Sequence, residues 1–178
     1  MNFDLRPTHL KNEFVKLSPL AADDFDKLYQ VASDPLIWEQ HPNKVRYRRE
    51  VFEIFFKGAI ESGGAFLVCD SNTNQPIGSS RYYEYNTSKK TIAIGYTFLA
   101  RDHWGTTYNK ALKSLMLDHA FTFVNDVIFH IGANNIRSQK AIVKLGATKI
   151  GEVEMEYYGE QTKLNFIYQI NKADWQKK

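Results

Sequence analysis

The segment Leu99-Ala100-Arg101-Asp102-His103-Trp104-Gly105-Thr106-Thr107-Tyr108-Asn109 holds the residues whose types and spacing best suit chemistry. A strand feeds a glycine-containing turn, and the turn feeds a helix. The first amides of a helix have no partner within it, and the positive end of the helix dipole stands behind them. A phosphate or pyrophosphate is the natural guest of such a site. Gly105 lets the backbone approach closely, and Arg101 can pair with an anionic oxygen. Read alone, the same loop is also an ordinary strand-to-helix connection. A second polar run, Asn134-Asn135-Ile136-Arg137-Ser138, stands just after the next strand, at the mouth of a further short helix.

These residues need a scaffold, and composition bounds it. The chain has 178 residues, 43% hydrophobic and 14% aromatic, enough for the core of one domain spanning 1–178. Twenty-three basic and 20 acidic residues leave a net charge of +3. That mild excess tolerates an anionic ligand, but nucleic-acid binding usually shows as a clustered stripe and is not expected. Lys44, Arg46, Arg48 and Arg49 do cluster, and read best as a solvated face at a helix start. Contact with an adenosine phosphate or an acidic partner is the other reading. One cysteine, Cys69, excludes an internal disulfide and a zinc site of paired cysteines, so no metal is expected. No run reaches the ~20 apolar residues of a membrane span. The first residues, MNFDLRPTHLKNE, lack a signal-peptide core, so a reduced, cytoplasmic setting is expected.

Periodicity places the elements. Phe14–Leu17 reads as a strand broken by Ser18-Pro19. Phe25, Leu28, Tyr29 and Ala32 give a helix to about Ser33, and Val51, Phe52, Phe55, Phe56 and Ala59 a second. Ala65–Val68, Ile77–Tyr85 and Thr91–Leu99 are strands joined by polar turns, hence antiparallel. A third helix carries Leu112, Leu115, Met116, Ala120 and Phe123 on one face. Val127–Ile131 is a strand, Ser138–Leu145 a short helix closed by Gly146, and Thr148–Tyr157 and Lys163–Ile170 are strands joined near Tyr158-Gly159-Glu160. The step from Thr91 to Ile131 predicts a parallel pair with a right-handed crossover. The fold class is mixed α/β (α+β) with a mostly antiparallel sheet. Glu152, Glu154 and Glu156 alternate with Val153, Met155 and Tyr157, which gives one wet and one buried face; the wet face could draw a cationic amine.

In order along the chain stand Phe14-Val15-Lys16-Leu17-Ser18-Pro19-Leu20, Pro76-Ile77-Gly78, Ile94-Gly95-Tyr96, Trp104-Gly105, Asn135-x-x-Ser138 and Gly146-Ala147. With these motifs the sequence resembles the GNAT superfamily of acyl-CoA-dependent N-acetyltransferases from about Phe14 to Tyr168. It looks most like the branch that contains the ribosomal-protein N-terminal acetyltransferases, the RimJ/RimL type. The superfamily loop Q/R-x-x-G-x-G/A reads here with Asp102 first and Thr107 last, and its basic residue moves to Arg101. Ala93 stands where many relatives carry a glutamate, and Ile142 is nearest to where others keep an acid tyrosine.

The resemblance implies a seven-stranded mixed sheet flanked by about four helices, with strands four and five splayed to admit the pantetheine arm. It implies acetyl-CoA (coenzyme A) as cofactor and direct transfer to a primary amine, on a small molecule or a protein N-terminus. Phe98 and Leu99, Arg101, Trp104, Gly105, Thr106, Thr107, Tyr108 and Asn109, with Asn135 and Ser138, are the implied cofactor contacts. Ser138 is a candidate to protonate the thiolate, and also reads as a helix N-cap. Glu84, His130 and Glu39 are candidate bases, each also readable as a solvated or packed side chain. Trp38, Glu39, His41, Tyr82 and Tyr96 are the implied acceptor-side residues. A homodimer through the final strands is compatible with this reading. The competing readings are a catalytically quiet acyl-CoA-binding module on the same fold, and an interaction domain built on the Lys44–Arg49 cluster.

Overall fold

A computed structural model of the chain describes residues 3–156 and 160–177. Seven strands form one sheet: β1 (Val15–Pro19), β2 (Ala65–Asp70), β3 (Pro76–Asn86), β4 (Thr91–Leu99), β5 (Asp126–Gly132), β6 (Thr148–Met155) and β7 (Lys163–Asn171). Their spatial order is β1-β2-β3-β4-β5-β7-β6. All neighbours are antiparallel except β4 and β5. The helices are α1 (Phe25–Ala32), α2 (Arg49–Glu61), α3 (Tyr108–Ala120), α4 (Ile136–Lys144) and a closing turn of helix, α5 (Lys172–Trp175). The fifth helix is one more than expected; Asn171 starts it by accepting the Ala173 amide.

The sheet separates two cores. Strand alternation sends Phe66, Val68, Ile92 and Ile94 to one face, where Leu112, Met116 and Leu117 of α3 and Ile142 of α4 cover them. Ala65, Leu67 and Phe98 point to the other, beneath Leu28 of α1 and Phe52, Phe55 and Phe56 of α2. Each of these large side chains, removed from water, contributes about 1.5–3 kcal/mol and holds the sheet against its helices.

The parallel pair β4–β5 is what shapes the site. It is registered over only three positions, Thr91↔Asp126, Ile92↔Val127 and Ala93↔Ile128. Beyond Ala93 the two strands part. A bulge in β4 drives the parting: Arg81↔Gly95 and Ser79↔Phe98 leave one extra residue on β4, and Tyr96 sits there at φ +52°. The mirror irregularity on β3 puts Glu84 at φ +52°.

Several expectations shift. β1 runs through Ser18-Pro19, which pair with Leu67 and Phe66, because an edge strand tolerates a proline that donates no ladder bond. α4 begins at Ile136, two residues before Ser138, because Asn135 takes the capping position. Arg46 is not solvated: it is 1% exposed and pairs with Glu160, between the rings of Trp38 and Phe55. On β6, Glu152 and Glu154 are exposed and Val153 and Met155 half-buried. The strand end at Tyr157 and the junction at Tyr158-Gly159 lie outside the described residues. Among the described residues no helix is long and apolar enough to cross a membrane.

Candidate active site

Where β4 and β5 part, two cavities meet. The first is lined by Trp38, Phe98, Leu99, Trp104, Gly105 and Arg137, among others, and the second by Tyr83, Gly95, Tyr96, Lys113, Phe129 and His130. His41, Thr97, Asn109, Asn135, Ser138 and Ala141 line both, so the two form one cleft through the split sheet.

The loop leaving β4 builds the outer wall. Trp104 donates its indole N–H to the Leu99 carbonyl at 2.9 Å, which folds the loop back on the strand end. Gly105 adopts φ +71°, and a Cβ built there meets no atom within 4 Å. Open space thus stands over the loop just before α3. Thr107 keeps φ −72° and ψ −18°, an ordinary helical conformation, so its amide and those beside it point along the helix axis without strain. The Thr106 hydroxyl is turned inward, donating to the His103 carbonyl at 2.6 Å. Tyr108 sends its ring away from the cleft, against Phe14 and His103, and its hydroxyl to Asp70. The Tyr108 amide donates to the Thr106 hydroxyl oxygen at 3.4 Å.

Arg101 does not reach the cavity: its guanidinium is held by Asp34. That arginine holds the Asp34 carboxyl below the usual carboxylate range. In the outer cavity the arginine is Arg137, stacked 3.8 Å from the Trp104 ring centre and donating to the Ile37 carbonyl at 3.0 Å. Sequence reading passed over it, although it stands two residues after Asn135 in the second polar run. Asn135 accepts the Ser138 amide at 3.2 Å. The cap is therefore Asn135, and the Ser138 hydroxyl has no hydrogen-bond partner among the described residues while facing both cavities.

The inner cavity holds a titratable pair. Tyr83 crosses β4 and shares a 2.9 Å hydrogen bond with His130 Nδ1 on β5. Gly95 makes the crossing possible, since a Cβ there would stand 2.9 Å from the Tyr83 ring. Burial lowers the His130 pKa, and the nearby Glu84 charge opposes it. Glu84 itself is exposed. Tyr96 stands beside Tyr83, with the Arg81 guanidinium 4.0 Å over its ring. His41 is also held neutral, its pKa pushed well down by burial and then by Arg46. Its Nδ1 accepts the Asn43 amide at 3.0 Å.

Two acceptor-side expectations fall away. Tyr82 is fully buried on the opposite face of β3, packed on Phe3 and Phe66, and its hydroxyl donates to the Met116 carbonyl at 2.6 Å. Strand parity gives Tyr83 the site and Tyr82 the core. Glu39 is exposed and lines neither cavity; its charge acts on Arg137 instead. Trp38 and His41 do line the cleft, and Trp38 is fixed by donating to the Ala32 carbonyl at 2.7 Å.

A split parallel pair, a strand–glycine turn–helix loop and a second capped helix thus enclose one cleft. The chain belongs to the acetyltransferase (GNAT) domain family, which matches residues 15–148. Solved structures agree on the fold. A GCN5-related N-acetyltransferase from Brucella melitensis superimposes with TM-score 0.78 at 15% identity, over 96% of this chain and 83% of that one. A spermidine N-acetyltransferase from Vibrio cholerae, in complex with CoA and spermine, gives 0.69 at 16% identity, over 93% and 99%. RimJ from Mycobacterium smegmatis, in complex with CoA-disulfide, gives 0.68 at 16% identity, over 88% and 81%. No curated protein matches in sequence.

Proposed function

We propose that the chain is a single-domain, cytoplasmic, acetyl-CoA-dependent N-acetyltransferase of the RimJ/RimL type, acting on a primary amine of a small molecule or a protein N-terminus. The observation that carries this reading is the continuous cleft through the β4–β5 split, open at one end to the Gly105 loop and at the other to the Tyr83–His130 pair. The residues present fit the cofactor: the space over Gly105 admits a pyrophosphate to the amides of Thr106 and Thr107, and Arg137 supplies the facing charge, while the Tyr108 amide already makes a long 3.4 Å bond to the Thr106 hydroxyl.

Bound acetyl-CoA supplies an acetyl group activated as a thioester. The main chain at Phe98 and Leu99 offers strand-like hydrogen bonds to the pantetheine arm, because β5 no longer pairs there. Asn109, Asn135 and Ser138 line both cavities and would flank the arm, where the Ser138 hydroxyl could donate to the thiolate. Trp38, His41 and Tyr96 wall the acceptor side. His130 would accept a proton from the incoming ammonium: burial disfavours its charged form, the Glu84 charge favours it, and Tyr83 fixes the ring. Thioester attack is intrinsically easy, and positioning supplies much of the rate.

The test mixes the protein with acetyl-CoA and a panel of polyamines, amino acids, aminoglycosides and N-terminal peptides, following free thiol and acetylated product. Amine-dependent turnover supports the reading. CoA binding with no turnover on any amine would instead support a quiet acyl-CoA-binding module.

A further inference from the structure

Lys113 is a buried cation on α3 that the mechanism above leaves unused. Its side chain reaches the floor of the inner cavity and is 5% exposed. Its partners are neutral: Nζ donates to the Thr97 hydroxyl and, at 3.3 Å, to the Ser80 hydroxyl, and stands 6.0 Å from the Phe129 ring centre. No carboxylate pairs with it among the described residues, and none lines its cavity, whose other titratable groups are His41, Tyr83, Tyr96 and His130. An ammonium removed from water and given only hydroxyl acceptors favours its uncharged form. Burial accordingly draws Lys113 down to about 7. An uncharged lysine amine is a nucleophile, and Thr97, which holds this one, also lines the outer cavity.

We propose that Lys113 is a self-acetylation site, its Nζ taking the acetyl group from acetyl-CoA bound in the adjoining cleft. This rests on the cleft being the acyl-CoA site. The Nζ–carbonyl bond forms, the carbonyl–sulfur bond breaks, and the amine proton leaves with the thiolate as free CoA. The acetylated side chain is neutral and keeps one N–H for Thr97. Its new carbonyl and methyl enter a cavity of about 120 Å³ whose lining includes Phe129, Ala141 and Ile142. Burying a neutral amide beside a hydroxyl is easier than burying an ammonium there, so the modification relieves the uncompensated charge and narrows the acceptor side of the cleft.

The experiment uses the full chain and needs no acceptor. Incubation with acetyl-CoA is followed by intact mass and peptide mapping, and acetyl-CoA binding is measured separately by calorimetry. Acetylation of Lys113 should outrun any exposed lysine by on the order of tenfold or more, given the proximity of the reacting groups. It should be suppressed by excess CoA, rise as pH passes through about 7, and be lost in Lys113→Arg. Binding of acetyl-CoA with Lys113 unmodified, or with acetylation only on exposed lysines and indifferent to CoA, overturns the proposal while leaving the cofactor site standing. Absence of binding overturns both.

Discussion

Replacing Gly105 by alanine separates two costs carried by the loop before α3. The residue sits at φ +71°, and the added Cβ meets nothing within 4 Å, so strain is the penalty in the free protein. Left-handed backbone costs an L-residue about 1–2 kcal/mol. For a chain of this size each kcal/mol moves the melting midpoint by about 2–4 °C. The same methyl occupies the open space through which a phosphate reaches the amides of Thr106 and Thr107. Losing one hydrogen bond to a charged group costs about 1.5–3 kcal/mol, which is about 10–150-fold in Kd. Thermal unfolding and calorimetric titration with CoA read the two effects independently. Gly105→Asn is the control: asparagine tolerates the left-handed region, so stability should recover while the added Cβ keeps binding weak. Unchanged CoA affinity in Gly105→Ala, or full recovery of affinity in Gly105→Asn, would refute the cradle.

Other substitutions probe the remaining walls. Arg137→Ala should raise the Kd for CoA about tenfold, the loss of one charged hydrogen bond, whereas Arg101→Ala should change it little because Asp34 already holds that guanidinium; equal effects in titration would reverse the assignment. Glu84→Gly should stabilise the fold by about 1 kcal/mol by relieving φ +52° at an exposed position. The Glu84 charge raises the His130 pKa against the lowering by burial, so removing it moves the acidic limb of the rate profile to lower pH; a limb that stays in place means His130 is not the titrating base. Tyr82→Phe should cost about 1–2 kcal/mol in denaturant unfolding, from the lost bond to Met116, with turnover per folded molecule intact.

Much of this architecture was legible because local pattern and tertiary role agree. The run Thr91–Leu99 is rich in β-branched and aromatic residues, and it is a strand over that whole span. The parallel pairing of β4 and β5 follows from the strand–helix–strand order of the chain. What escaped needs information that one-dimensional spacing lacks. Tyr82 and Tyr83 are chemically alike, and only the absolute facing of β3 tells core from cleft. The bulge at Tyr96 adds a residue that no alternation rule anticipates. Arg101 and Asp34, or Arg46 and Glu160, meet across long stretches of chain, so two exposed-looking arginines are engaged elsewhere. Lys113 was within reach: it precedes Met116 by three and Leu117 by four, on the buried side of α3, where a lysine is out of place.

The claim that the cleft between β4 and α4 is the acyl-CoA site is tested most directly by titrating acetyl-CoA into isotope-labelled protein and following backbone amide shifts. Saturable binding of one molecule per chain is expected, with the largest shifts at Phe98, Leu99, Gly105 to Tyr108 and Asn135 to Ser138. Saturable shifts centred elsewhere, for instance on the Arg48–Arg49 face with these amides unmoved, would contradict it.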